Sequence, residues 1–259
     1  SGDPGLQDLT DFAAIGLALQ DASFLKMMPR KQAGMVQALK SGSSLVKVPI
    51  GFPLIPDRFR AGSFYTKSSL LADYFAARQW YALVDFRLKN DRETTLAVKF
   101  AMLIDDDLEL SKLWSQLSEP YDVLVAKAED GTVPVYAATA KEILRRQGGS
   151  SEINKRNVVV IRKALGAKLS DPKVNDQILL PSQYKNFKAE IKGFRLLPPR
   201  RLPSAVCFQN TVDPKIKDRM FPSGLDFLVA CKTLRSPAAM RALKGQSGDA
   251  VVEAVIQAD

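Results

Sequence analysis

Apolar residues recur at helical rather than alternating spacing along most of this chain. Phe12, Ile15, Ala18 and Leu19 fall on one stripe and predict a helix over residues 9–19; a second, over 30–40, ends at the breaker Ser41-Gly42-Ser43-Ser44. Over 45–64 the pattern changes, because Pro49, Pro53 and Pro56 each forbid a helix interior, so this stretch is expected to run extended or turn over the surface. Thr66 then reads as the N-cap of the strongest helix, 68–88, where Leu70, Leu71, Tyr74, Phe75, Tyr81 and Ala82 recur at helical spacing and Leu83 and Phe86 make a second side apolar. A helix apolar on two sides belongs at the centre of the fold.

Helices follow over 94–104 and 108–117, with Asp105-Asp106-Asp107 suited to the positive end of the second. Residues 122–127 read as a short strand, Glu129-Asp130-Gly131 as a turn, and Thr132 with Pro134 as the opening of a helix to about residue 147. Gly148-Gly149-Ser150-Ser151 is the candidate linker. Residues 157–169 pull both ways, Val158-Val159-Val160-Ile161 toward strand and the Lys- and Ala-rich remainder toward helix; helix is the assignment taken. The proline-broken stretch 181–203 is non-helical around Phe194 to Arg201, and short helices are expected over 204–212, 224–234, 236–243 and 249–257. The class is mainly α: one irregular multi-helix globular domain over 1–259 with long proline-rich loops, at most a few short strands and a weak internal boundary near 148–151.

Composition narrows the chemistry. The 259 residues include no histidine, which removes His-based triads, His-ligated metals and imidazole acid–base catalysis. No GxxxxGK[ST] or GxGxxG phosphate loop occurs, and a calcium loop starting at Asp105 would meet Leu110 and Gln116 where Gly and Glu are needed. Ser-x-x-Lys appears at Ser23 and Ser182 without a companion Lys-Thr-Gly. No catalytic residue, metal or cofactor is therefore expected. Cys207 and Cys231 sit in apolar stretches and read as buried thiols, with a single disulfide or a reactive cysteine the alternatives. No apolar run is long enough to span a membrane, and the start Ser1-Gly2-Asp3-Pro4-Gly5 lacks a signal pattern and reads as an end left by cleavage or cloning.

The net charge of +9 is polarised: residues 1–130 carry 15 Lys and Arg against 17 Asp and Glu, and 131–259 carry 22 against 11. A basic second half suits an anionic partner, although solvated helix faces explain such runs as readily. Arg and aromatic residues interleave at Arg58-Phe59-Arg60, Phe64-Tyr65 and Phe194-Arg195, as they do both in ring-stacking sites and in ordinary loop anchors. Without an RNA- or DNA-binding signature, nucleic acid is not the expected partner.

Several stretches in a fixed order resemble the bacterial domain-of-unknown-function family numbered 3160. They are Ser63-Phe64-Tyr65-Thr66-Lys67-Ser68-Ser69-Leu70-Leu71-Ala72-Asp73-Tyr74-Phe75-Ala76-Ala77-Arg78-Gln79-Trp80-Tyr81, then Leu113-Trp114, Glu119-Pro120, Glu129-Asp130, Phe208-Gln209 and Arg219-Met220-Phe221-Pro222-Ser223-Gly224-Leu225-Asp226. The resemblance implies an exported protein, periplasmic or extracellular, usually larger than this chain. Ala61-Gly62-Ser63 stands where the family pattern has Arg-Gly-His, and Ser204 where it has Asp, while Arg200 falls at the expected Arg. The missing imidazole, and the lack of a later aromatic-rich portion, imply a non-enzymatic member, either a fragment or a short paralogue.

Together these readings favour a binding or scaffolding domain for an anionic or carbohydrate-like envelope partner, with Arg58, Tyr65, Trp80, Arg200, Gln209 and Arg219 lining its surface and Asp226 orienting the preceding loop. Two other readings are a carboxylate-dependent hydrolase, which needs two acids facing one cavity, and a structural segment of a larger protein, which an extensive exposed apolar face would favour.

Overall fold

The computed structural model describes residues 4–148, 153–213, 215–216, 219 and 222. They fall into two compact units, one built from residues up to 171 with 176–178 and 189–200, the other from 172–175, 179–188 and the chain after 200.

The first unit holds the helices that apolar periodicity predicts. α1 (Pro4–Gln20) buries Leu9, Phe12, Ile15, Ala18 and Leu19 on one stripe, and α2 (Arg30–Ser41) packs on it through Val36 and Leu39. The proline-rich stretch turns back on itself through a bridge between Val46 and Leu54, then makes 3-10 turns at Pro56–Phe59 and Ser63–Lys67. α3 (Ser69–Leu83) lies against α1. It starts later than expected: the Ser68 hydroxyl accepts from Leu71 N at 3.2 Å and caps the helix, while Thr66 donates to Ser63 O within the preceding turn. It also stops five residues short of 88, because Phe86–Arg87 leave as strand β1 and pair antiparallel with β2 (Gly193–Phe194).

α4 (Asp91–Asp106), α6 (Val133–Arg146) and α7 (Lys155–Lys168) form the other wall of the core, with α4 against both α6 and α7. Asp107 caps α5 (Leu108–Leu124) by accepting from Glu109 N and Leu110 N. The strand expected over 122–127 does not form. α5 continues through Pro120 instead, and Arg200 holds its last turn by donating to Ser118 O, Ser118 Oγ and Asp122. Residues 157–169 resolve as helix: Val158, Ile161 and Leu165 share the buried face, and Asn154 with Asn157 closes a capping box.

In the second unit, α8 (Pro181–Tyr184) and α10 (Pro203–Gln209) each begin at a proline, whose fixed φ suits the first helical position. α9 (Phe187–Ile191) leads back into the first unit, to which it belongs from Ala189 onward. The expected linker lies almost entirely outside the described residues. So do the helices expected over 224–234, 236–243 and 249–257, and Cys231. Cys207 is a half-buried free thiol.

At the centre of the first unit sits a fully buried guanidinium. Arg195, just after β2, donates to both carboxylate oxygens of Asp176 at 2.5 and 2.9 Å and to Ala82 O, and lies 3.9 Å from carboxylate oxygens of both Asp85 and Asp130. The strand pair brings these groups together. It is so close that a Cβ on Gly193 would stand 2.3 Å from Phe86 O and 2.5 Å from an Asp85 oxygen, so only glycine fits there. Burial raises the Asp85 carboxyl well above the usual carboxylate range, with Arg195 opposing the rise and Asp130, Asp176 and Glu93 adding to it.

Two outcomes follow. Arg195→Met leaves buried acids without their cation and lowers unfolding stability by about 3–5 kcal/mol in urea denaturation. For Asp85 the folded state holds the proton more tightly than the unfolded chain, whose carboxyl titrates near ~3.9. Its contribution is therefore complete below that pH and declines as pH rises toward the elevated folded value. Stability measured from pH 4 upward should fall less steeply in Asp85→Asn than in the parent; parallel curves would contradict this.

Candidate ligand-binding site

α3 carries Tyr74, Ala77, Arg78 and Tyr81 at i, i+3, i+4 and i+7, which places all four on one face of the helix. Opposite them, α5 presents Leu117 and Tyr121 one turn apart, with Gln20 at the end of α1 and Leu197 beyond β2 completing the wall. These residues enclose a cavity of about 240 Å³. Among the described residues no Asp, Glu or Cys lines it.

Its polar groups are held in place. The Tyr74 and Tyr121 hydroxyls hydrogen-bond at 3.2 Å, and the Arg78 guanidinium stands over the Tyr121 ring, 5.3 Å from its centroid. Arg78 also donates to Leu197 O at 2.5 Å and Pro198 O at 3.4 Å. The Trp114 indole donates to Leu196 O, and Arg200 to Pro198 O. Side chains of α3 and α5, with Arg200, thus satisfy three successive carbonyls of a segment whose prolines deny it regular structure. Burial and the bond to Tyr121 push the Tyr74 hydroxyl up to about 12, and burial pushes Tyr81 up to about 12. Both remain neutral O–H groups at physiological pH. Burial lowers the Arg78 guanidinium from its usual value, with Tyr121 and Tyr74 opposing that shift.

The residues singled out from sequence have varied surroundings. Tyr65 borders this site, its ring 6.4 Å from Tyr74 and 5.0 Å from Phe75, with Phe64 beside it. Arg200 braces the site from behind, its side chain only 4% exposed. Trp80 lies in the core, its indole donating to Phe12 O at 2.9 Å, and Arg58 donates to Asp176 O. In the second unit the Gln209 side chain accepts from Asn175 N, and Arg219 donates to Thr211 O. Asp226 lies outside the described residues. Sequence reasoning passed over Arg78 and Tyr121 and took Tyr74 and Tyr81 as members of the core stripe. The available signal was hydroxyl-bearing aromatics and an Arg recurring at helical spacing inside an otherwise apolar face.

The profile of a family described as a protein of unknown function, DUF3160, matches residues 58–254. The chain belongs to the DUF3160 family. The matched span contains every residue lining the cavity except Gln20. No curated protein and no solved structure matches the chain. Among the described residues no helix is long and apolar enough to cross a membrane, and no group of three or more Cys, Asp or Glu is arranged to hold a metal.

A phenolate titration followed in the ultraviolet should show Tyr74 and Tyr81 ionising near 12, and Tyr74→Phe and Tyr81→Phe should each remove part of that late amplitude. Gly16 sits against the Tyr81 ring, where an added Cβ would meet ring atoms at 2.2 Å. Gly16→Ala should therefore cost about 1–3 kcal/mol in thermal or urea unfolding.

Proposed function

We propose that this DUF3160 chain is a binding domain, and that the tyrosine- and arginine-lined cavity between α3 and α5 takes one carbohydrate-like ring, with an anionic substituent facing Arg78. The observation that carries this reading is that three tyrosines, the Arg78 guanidinium and Gln20 line one small cavity whose remaining walls, Ala77, Leu117 and Leu197, are apolar, with the Tyr74 and Tyr121 hydroxyls bonded to each other and the Tyr81 hydroxyl donating to Ala13 O. Polyol recognition uses that combination: hydroxyls and amides hydrogen-bond ring substituents while aromatic and aliphatic surface covers the C–H faces. At about 240 Å³ the cavity lies below the ~300–1,000 Å³ typical of drug-sized pockets, so it fits one ring rather than a long oligomer. The proposed setting is the exported one that the family resemblance implies.

Carboxylate-pair hydrolysis finds less support. Asp8 and Asp11 share another cavity, but Asp8 is paired with Arg92, and Asp11 accepts from Gln7 and Gln32. Asp85, Asp130 and Asp176 surround Arg195 in the interior.

Titration by calorimetry or NMR against neutral methyl hexosides and the corresponding uronic acids tests the reading. Binding is expected, tighter for the uronates, with Tyr121→Phe and Tyr74→Phe each weakening it about 3–10-fold, the range for losing one hydrogen bond. Failure of every ring in the panel to bind, or unchanged affinity in Tyr121→Phe, overturns it.

A further inference from the structure

α4 and α7 pack against each other, and beside the start of α7 they open into a cleft of about 780 Å³. α4 turns Arg92, Thr95, Leu96 and Lys99 toward it, at i, i+3, i+4 and i+7. A second cleft of about 480 Å³, beside Lys89 and Lys192, adjoins the first, and Val159 lines both. The floor of the first is Leu96, Ile153, Val158 and Val159, and that of the second Leu88 and Ala189. Leu96 and Val158 are only 2 and 3% exposed, so the groove narrows downward and only a slender group reaches its floor.

The rim is basic. Arg92, Lys99 and Lys155 line the first cleft and Lys89, Arg162, Lys163 and Lys192 the second, while among the described residues Asp91 is the one acid lining either. Internal acids meet four of these cations: Glu190 pairs with Lys89, Asp8 with Arg92, Asp91 with Arg162 and Asp171 with Lys192. The cations still outnumber the acids that meet them. The exposed side chains of Lys155 and Lys163 make no ion pair or hydrogen bond among the described residues. Both stand one turn from Val159, at i−4 and i+4, about 40° to either side of it around the helix axis. The two free cations and the apolar residue shared by the clefts therefore lie on one face of α7.

We propose that this groove binds a free single-chain anionic amphiphile of the fatty carboxylate class, its alkyl chain along Leu96, Val158 and Val159 and its carboxylate in the second cleft beside Lys163. Charge and shape together select this occupant. A small inorganic anion would leave the apolar floor in water, and an uncharged chain would leave the surplus cations unmet. A peptide helix, about 10–12 Å across, is too wide to reach Leu96 and Val158 between two packed helices. A slender chain reaches them, each buried methylene adds to affinity, and the head group meets an ammonium that no acid of the first unit neutralises. The groove has no lining residue in common with the α3–α5 cavity.

Calorimetric titration of the whole protein with octanoate, decanoate and dodecanoate, each kept below its critical micelle concentration, tests this. Saturable binding is expected, tightening by up to about fourfold per added methylene and weakening with added salt. Decylammonium should bind more weakly than decanoate by about tenfold or more. Lys163→Glu, and Val159→Asp at a position 44% exposed, should each weaken decanoate by about tenfold or more while melting as the parent does. Lys155→Glu, beside the chain rather than the head group, should weaken it less. Tyr121→Phe should leave it unchanged, because that ring lines the other cavity. The proposal is overturned if no carboxylate binds, if decylammonium binds as well as decanoate, if Lys163→Glu keeps the parent affinity, or if Tyr121→Phe loses it. Binding to anionic vesicles or to an acidic amphipathic helix, with none to the monomeric carboxylates, also overturns it.

Discussion

The buried guanidinium of Arg195 is the interaction on which the first unit depends. Its three acids come from separate stretches of chain: Asp85 after α3, Asp130 in the turn before α6, and Asp176 in a short excursion of the first unit. Few apolar contacts could bring such short irregular segments to one point, whereas one planar cation can engage several at once through its fan of donors. The backbone repeats the arrangement. Gly131 donates to Gly193 O, Arg195 N donates to Gly131 O, and Phe86 pairs with Phe194. The strand pair is only two residues long because its work is to seat the guanidinium rather than to extend a sheet.

The position of the cavity follows from that anchor. Once Arg195 is fixed, the next residues must leave along α3 and α5, and the carbonyls of Leu196, Leu197 and Pro198 meet Trp114, Arg78 and Arg200 there. Arg78 thus serves two ends, tying the segment down and standing over Tyr121. A cation held by two carbonyls and an aromatic face has little freedom left, so the ligand proposed for this cavity would meet it with much of its ordering cost already met by the fold. Tyr81 is fixed likewise, since Gly16 lets its ring lie against α1.

Helices were legible wherever burial was one-sided: the stripes of α1, α2, α4 and α6 appear in the sequence at the spacing they have in the fold. What escaped the sequence was decided by single tertiary contacts. A two-residue strand has no period to detect, so α3 seemed to run through Phe86, and Phe194-Arg195, open to either ring stacking or loop anchoring, proves fully buried. Pro120 reads locally as a helix end, and only the distant Arg200 bracing Ser118 and Asp122 explains why α5 passes it. The cavity was hidden by the same logic. Tyr74 and Tyr81 fit a core stripe, and spacing cannot distinguish a phenol that packs in a core from one whose ring lines a cavity.

The charge polarity of the chain was legible as well, and the fold changes its meaning. An acidic first half and a basic second half suggest two regions facing different surroundings, but the acidic stretch over 105–122 and the basic stretch over 155–163 lie in the same compact unit. α6 is the seam between them. Its neighbouring residues Lys141 and Glu142, about 100° apart around the helix axis, reach opposite ways, Lys141 to Asp105 and Asp106, and Glu142 to Lys168 and Arg146. Charges at the seam are therefore neutralised internally, as are Asp122 of α5 by Arg200 and Arg162 of α7 by Asp91. What reads along the sequence as an acidic half and a basic half becomes, in three dimensions, a set of ion pairs between helices of one unit, which total charge alone could not reveal.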